Sequence, residues 1–385
     1  MPTSADPAAT SPPVPGAAPG PAATACGKVI LLGEHAVVYG VPALCGALRG
    51  GAEVHLVPGR GALRVPAWGA VTPTAAELLV EPGAPERSSS SPIHLSAAGA
   101  AGDQPLAQAF RAILQSVLAA APADRAEPAR ALAVDFEVRF SIPTGAGLGS
   151  SAALAVALVR ALDVALGLGL SAEAVDAAAF AAEKVFHGSP SGLDHTVAQR
   201  GGFGLFRRGQ GLVPLTGTPA LRLLIGHTGR ARDTKGRVQR VAELYQADRE
   251  GTAARFARIA GLIDEAVAAL RRGDLAALGQ TMNQNQAELR HLDVSCPEID
   301  TLCELALEAG ALGAKLTGGG GGGCVLALCA EREADVAAAW QRRGFTSFPV
   351  TIGQSPSPAS GPALDPRPEG AAAEPSPAPV TKGRP

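Results

Sequence analysis

The segment Pro143-Thr144-Gly145-Ala146-Gly147-Leu148-Gly149-Ser150-Ser151 puts three glycines in five positions and two serines directly ahead of an alanine- and leucine-rich stretch, residues 152–162. A glycine-rich turn that opens a helix is an anion site. Its backbone N–H groups point at the ligand, and the helix dipole favours negative charge there. Ser150 and Ser151 have the chemistry to cap that helix and to reach a phosphate or a metal. Upstream, Val134, Phe136, Val138 and Phe140 alternate with Asp135, Glu137 and Arg139, the period of a half-buried strand that feeds the turn. The loop lacks the Gly-Lys-Ser/Thr ending that places a lysine on the phosphates in the common phosphate loop. No strand with a terminal acid follows at the distance of a dinucleotide fingerprint either. A phosphate cradle of this kind has to find its positive charge elsewhere in the chain.

Composition narrows the search. The 385 residues are enough for two domains of ordinary size. Hydrophobic residues make up 46% and aromatics 4%, so the core must be built mainly from Ala, Val and Leu. A net charge of −2 and the lack of any basic-aromatic module argue against nucleic acid as a partner. The six cysteines, Cys26, Cys45, Cys296, Cys303, Cys324 and Cys329, form no C-x-x-C pair and no zinc-finger spacing. Buried thiols in a reducing compartment are expected. No apolar run reaches the ~20 residues of a membrane span, and the N-terminus lacks the shape of a signal peptide. No membrane role is expected, and the expected location is cytoplasmic. Residues 1–21 and 354–385, rich in Pro and Ala, read as disordered tails.

Between the tails, residues 25–32 form an apolar strand candidate interrupted by Gly27 and Lys28, and residues 53–57 form another. Residues 58–92 read as a variable connection with short strands near 63–65 and 78–80. Leu106, Phe110, Ile113, Leu114 and Leu118 share one face of a helix over 106–121. Ser171 is placed to cap a helix over 171–186. Near residue 215 the character changes. A strand at 222–227 precedes two or three amphipathic helices within 242–289 and a helix at 300–312. Strand, glycine run and strand then fill 315–329, before a helix at 331–343 and a strand at 346–352. That order predicts an α+β sandwich with helices on one face of an antiparallel sheet.

Three further clusters carry chemistry. In Glu183-Lys184-Val185-Phe186-His187-Gly188-Ser189-Pro190-Ser191-Gly192-Leu193-Asp194, two carboxylates flank a rigid turn. One is suited to hold a cation while the other faces a nucleophilic hydroxyl; the plainer alternative is a helix end whose next turn uses Asp194 as a cap. In Gly27-Lys28, the ammonium sits in an apolar strand, an expensive place unless it is paired. Asp194 is the candidate partner, against the alternative of a lysine snorkelling from a strand end. Gly33-Glu34-His35 follows in a loop. Lys315-Leu316-Thr317 precedes six consecutive glycines, Gly318 to Gly323. Alone they read as a linker, but apolar strand patterns on both sides favour a close backbone approach to a ligand.

Together these motifs resemble the GHMP kinase superfamily, which includes galactokinases, homoserine kinases and mevalonate kinases. Gly27-Lys28-Val29-Ile30-Leu31-Leu32-Gly33-Glu34-His35-Ala36-Val37-Val38-Tyr39-Gly40 is similar to the N-terminal signature of the mevalonate kinases. The Glu183-to-Asp194 cluster and Lys315-Leu316-Thr317 with its glycines are similar to the same family. The resemblance covers residues 24–353. It implies an α+β fold of two domains. Residues 22–215 would form a ribosomal-S5-domain-2-like α/β domain with a left-handed crossover, and residues 216–353 a ferredoxin-like α+β sandwich. The site would lie in the cleft between them. The implied activity is ATP-dependent phosphorylation of the 5-hydroxyl of (R)-mevalonate, a small-molecule substrate, with Mg²⁺, in isoprenoid biosynthesis.

The resemblance also implies residue roles. Pro143, Gly145, Ala146, Gly147, Leu148, Gly149, Ser150 and Ser151 would wrap the ATP phosphates, and Gly318, Gly319, Gly320 and Gly321 would close the nucleotide side. Ser151, or less readily Ser150, and Glu183 would hold Mg²⁺. Asp194 would serve as base or charge partner of the hydroxyl, with Lys28 bridging Asp194 and the γ-phosphate. Glu34 and His35 would contact mevalonate, and Arg232 and Thr234 would lie over substrate and phosphates. A homodimer is compatible, since relatives are often dimers. The alternatives are another GHMP small-molecule kinase, acting on phosphomevalonate, homoserine or a sugar, and an inactive nucleotide-binding homologue. Ala36-Val37-Val38-Tyr39-Gly40 after the histidine argues against a sugar, and retention of Lys28, Ser151, Glu183 and Asp194 together argues against inactivity. The chain departs from the family at Cys26, where proline is frequent, at Phe140, where many relatives carry serine near the purine pocket, and over 58–92.

Overall fold

The computed structural model describes residues 21–80, 104–121, 132–188 and 190–353. The expected tails, apart from Pro21, and the 81–92 part of the variable connection lie outside the described residues. Ala23–Leu32 (β1) pairs antiparallel with the long strand Ala43–Pro58 (β2). The other edge of β2 is shared by Val134–Phe140 (β5), opposite Ala52 to Pro58, and by Phe203–Arg207 (β6), opposite Ala43 to Gly46. The expected strand at 53–57 is thus only the end of a longer one. Arg49 and Gly50 bulge out where Cys26 pairs with Gly51 and Gly27 with Leu48, so β2 bends without breaking.

Ala62–Val65 (β3) lies parallel to β5 and pairs with Ala70–Thr74 (β4), while Gly211–Leu215 (β7) closes against β6. The strand expected near 78–80 does not form. Thr74 and Glu77 make a reciprocal capping box that starts a one-turn helix, Ala75–Leu78 (α1), and this local signal outweighs the three apolar residues Leu78, Leu79 and Val80. Gln104–Ala120 (α2), Ser150–Leu166 (α3), Ala172–His187 (α4) and Leu193–Arg200 (α5) complete the first half. Helix α3 packs on β1, β2 and α4 and is buried through Ala152, Ala153, Leu154, Ala155, Val156, Ala157, Leu158 and Val159. Its alanines let two layers approach closely on opposite sides, which explains how a core poor in aromatics is filled.

In the second half Leu221–His227 (β8), Gly313–Thr317 (β9), Cys324–Leu328 (β10) and Thr346–Ile352 (β11) form an antiparallel run in the order β11-β8-β10-β9. Helices Thr234–Ala247 (α6), Arg249–Arg272 (α7), Leu275–His291 (α8) and Pro297–Glu308 (α9) join β8 to β9, and Glu333–Arg342 (α10) joins β10 to β11. This is the ferredoxin-like order with an enlarged first crossover. The helices begin at Thr234, earlier than expected, because Asp233 accepts a hydrogen bond from Gly236 N at 2.9 Å. Asp248 and Asp274 cap α7 and α8 in the same way. Strand β9 is an edge, and α8 covers it. Asn283 accepts from Ala314 N at 2.9 Å and donates to Leu312 O at 3.1 Å, while Gln286 accepts from Leu316 N at 3.0 Å.

The two halves share one eleven-stranded sheet through the Ile352–Leu48 pair of β11 and β2. They also share a core. Val29, Leu31 and Leu32 of β1 belong to the same buried cluster as Ile259 and Ile263 of α7, Leu316 of β9 and Val325 of β10. The junction expected after residue 215 falls between β7 and β8. All six cysteines are buried. No described helix is long and apolar enough to cross a membrane.

Candidate active site

The glycine loop ends on Gly149, the N-cap of α3, in the left-handed region with φ 79°. No side chain caps this helix, so the expected capping role of Ser150 and Ser151 is not realised. The first-turn amides of α3 have no intrahelical acceptor and face the loop's mouth. Gly149 is required for two reasons. Its φ is costly for an L residue, and a Cβ would sit 2.8 Å from Lys28 Cγ. Lys28 therefore crosses the helix mouth, with its backbone N–H donating to Leu148 O at 2.8 Å. The strand that carries the lysine and the loop that lacks one are bonded to each other.

Lys28 is 3% exposed and its Nζ lies 3.1 Å from Asp194 Oδ1. Asp194, in the first turn of α5 just after the Gly192 N-cap, is 29% exposed. The pair is thus closed on the lysine side and open on the aspartate side. Glu183, in the last turn of α4, is 2% exposed, and its Oε1 has no hydrogen-bond partner. Burial and the negative charge of Asp194 push its carboxyl up to about 7, while the Ser151 hydroxyl, Lys28 and Arg232 pull the other way. Ser151 Oγ is 3.1 Å from His187 Nε2, and that ring lies 3.8 Å from Glu183 Oε2. Burial lowers the basicity of His187.

Glu34 is 1% exposed and forms an ion pair with Lys315, which is itself wholly buried. Burial raises the Glu34 carboxyl, against the opposing charges of Lys315 and Lys28. His35 takes φ 60° and its Nε2 is 2.9 Å from Gly319 O. Burial lowers the His35 pKa to about 4, so the ring is neutral at pH 7.

The second glycine run reaches the first loop. A Cβ on Gly323 would lie 3.5 Å from Ala146 O, and one on Gly318 4.0 Å from Gly147 O. Gly319 abuts Thr234, and Gly321 abuts the Arg237 side chain. Arg232 lies over Gly147, with Nη1 3.3 Å from where a Cβ would stand. The segments at 27–35, 143–151, 183–194, 232–234 and 318–321 therefore lie together. Phe140 stacks on Trp68, with ring centroids 5.5 Å apart.

Three participants carry no role in the sequence reading. Lys315 was visible there as an ammonium within an apolar strand, the same signal that marked Lys28. His187 and the Asp176–His195 contact left no such trace. His195 Nε2 is 3.4 Å from Asp176 Oδ1, and Thr196 Oγ1 is 3.3 Å from the same carboxyl. These contacts tie α5, and so Asp194, to α4.

The described residues hold no cluster of three or more His, Cys, Asp or Glu fit to bind a metal alone. The donor set of one carboxylate and one hydroxyl suits Mg²⁺, which takes one or two carboxylates and completes its shell with substrate phosphates and water. The buried Glu183 Oε1 has no hydrogen-bond partner, so it is an oxygen free to take part in such a set.

The GHMP kinases N terminal domain model matches residues 110–202 and the GHMP kinases C terminal model residues 266–345. A mevalonate kinase of Aeropyrum pernix is 39% identical over 317 residues, covering 81% of this chain and 90% of that protein. One of Pyrococcus horikoshii is 34% identical, covering 82% of this chain and 91% of that protein. The crystal structure of L. major mevalonate kinase in complex with R-mevalonate superposes with a TM-score of 0.68 at 27% identity, covering 91% of this chain and all of that one (100%).

Proposed function

The chain belongs to the mevalonate kinases, within the GHMP kinases, and we propose that it transfers the γ-phosphoryl group of ATP to the 5-hydroxyl of (R)-mevalonate. The observation that carries this reading is the Lys28–Asp194 pair lying across the glycine-lined mouth of α3. Phosphoryl transfer demands position and neutralised charge more than covalent help. The open α3 amides and Lys28 supply a positive field for the phosphates, and Arg232 over Gly147 extends it. Asp194 is paired with the buried Lys28 ammonium on one side and open on the other, where it faces the hydroxyl. As the hydroxyl oxygen bonds to the γ-phosphorus, the bond from phosphorus to the β-bridging oxygen breaks and ADP leaves. Asp194 accepts the hydroxyl proton.

Ser151 Oγ and Glu183 are the residues that would hold Mg²⁺, whose charge would neutralise the triphosphate. His187 fixes the Ser151 hydroxyl by the bond at 3.1 Å. Glu34, His35 and Thr234 form the substrate wall, with the neutral His35 donating its Nε2–H to Gly319 O and keeping Nδ1 to accept one hydrogen bond. The glycines Gly318 to Gly321 close the nucleotide side, where a side chain at Gly319 would run into Thr234 and one at Gly321 into Arg237. An ADP-release screen with mevalonate, phosphomevalonate, homoserine and galactose tests the reading. Mevalonate should give the highest kcat/KM, and faster turnover of any of the other three would overturn it.

A further inference from the structure

We propose that Lys315 is a positioning residue for phosphoryl transfer: through its buried ion pair with Glu34 it holds the substrate-side turn at residues 33–35 and the glycine run at 318–321 in one register. The activity consequence rests on the mevalonate kinase reading, whereas the register claim rests on geometry alone.

Lys315 lies in β9, all five residues of which are buried, and its own side chain is 0% exposed. It therefore touches no ligand and acts only through what it bonds. Its Nζ donates to Glu34 Oε1 and to Leu316 O. An ammonium in such a place is strongly unfavourable without a charged partner. Satisfying it brings the turn at 33–35 onto β9 three positions before the glycines begin at Gly318. Two more contacts run along the same seam. The Thr317 hydroxyl accepts from Ile30 N and donates to Ile30 O, both at 3.1 Å, and His35 Nε2 meets Gly319 O at 2.9 Å.

The turn needs this support. Gly33 has φ 102° and His35 φ 60°, so both neighbours of Glu34 sit in the left-handed half of backbone space. A histidine there persists only where its surroundings over-determine it. The ion pair also aims Glu34. Its Oε1 is taken by Lys315, its buried Oε2 has no partner, and the charge of Lys28 reaches it. The two lysines thus divide the work: Lys28 meets an aspartate that is open to the site, and Lys315 anchors a glutamate from behind.

The test uses the full chain. Lys315→Met removes the ammonium at nearly constant volume. Its kcat should fall about 100-fold, the cost of misplacing reacting groups by about an ångström, with KM for either substrate changed by less than about fivefold. Amide hydrogen exchange at residues 33–36 and 318–321 should speed up together by about tenfold or more, while α3 and β5 keep wild-type protection. A purely structural staple would instead raise exchange throughout and leave the kcat of the folded protein intact. If Lys315→Met does not fold, Glu34→Gln is added, which leaves no unpaired charge buried, and exchange at the two segments is read in that variant. Wild-type exchange at those segments in a folded variant, or wild-type kcat in Lys315→Met, overturns the proposal. If the unmutated chain does not phosphorylate mevalonate, the functional reading falls by itself, and the exchange result still decides the register claim.

Discussion

Glu34 and Glu183 are buried to almost the same degree, 1% and 2% exposed, and each has one oxygen without a partner. Their surroundings differ in one respect. Glu34 faces a lysine sealed in with it, so its charge is compensated by the chain itself. Glu183 has a serine and a histidine beside it and a second carboxylate, Asp194, raising its pKa. A buried carboxylate with a dedicated cation is part of the scaffold. Glu183 has no lysine or arginine ion pair among the described residues, and on the function proposed above it is the carboxylate that would take a cation arriving with the nucleotide.

Changing the neighbour that the two carboxylates do not share should break the contrast most sharply. Asp194→Asn is expected to lower kcat about 1000-fold while leaving the Kd for ATP within about twofold, measured by calorimetry. The same substitution removes a negative charge beside Glu183 and so should lower the Glu183 pKa, seen by carboxyl titration in ¹³C NMR. Retained turnover would show that Asp194 is not the proton acceptor.

Glu183→Gln should lower kcat about 100-fold and yet stabilise the fold. Burial lifts the Glu183 carboxyl from 4.5 to about 7. The folded chain then holds a proton that the unfolded chain releases between those values. Stability therefore falls as pH rises through that window, by about 3 kcal/mol across it. In EDTA, Glu183→Gln should melt above wild type at pH 8 and level with it at pH 4.5. Equal melting at both pH values would remove the distinction between the two glutamates.

Gly149→Ala places a methyl group against Lys28 Cγ and forces an L residue to φ 79°. It should raise KM for ATP about tenfold, the scale of 1–3 kcal/mol of strain, with a smaller change in kcat. The smallest effect is expected at Asp176, a third carboxylate that is 40% exposed. Hydrogen bonding to His195 holds its carboxyl below the ordinary aspartate value. That stabilisation is present above the usual aspartate range and is lost as pH falls below it. With solvent screening, Asp176→Asn should cost less than about 1 kcal/mol at pH 7, read as a small drop in the thermal midpoint.

Much of this was legible in the residues. The strand at 134–140, the glycine turn, the helix after Ser171 and the last strand are local patterns, set by side-chain period and by which residues tolerate a turn. The 78–80 region misled because a capping box at Thr74 and Glu77 decides the backbone before two leucines do. The long strand β2 reads as a shorter one because Gly50-Gly51 looks like a stop, whereas the β1 register absorbs Arg49 and Gly50 as a bulge. Lys28 and Lys315 carried the same signal, an ammonium among apolar neighbours, but only Lys28 had a motif nearby to suggest a partner.

The sequence by itself determined that a glycine-rich turn opens a helix, that this turn carries no lysine of its own, and which glycines, carboxylates and serines are candidates to act with it. These follow from backbone freedom and capping chemistry, which act within a few residues. Only the tertiary structure decided that Gly149 makes room for Lys28 and that one glutamate is neutralised by the chain while the other is not. It also brought Glu34 to Lys315 across 281 positions of chain. Burial and pairing depend on which distant strand arrives beside a charge, and no local pattern contains that.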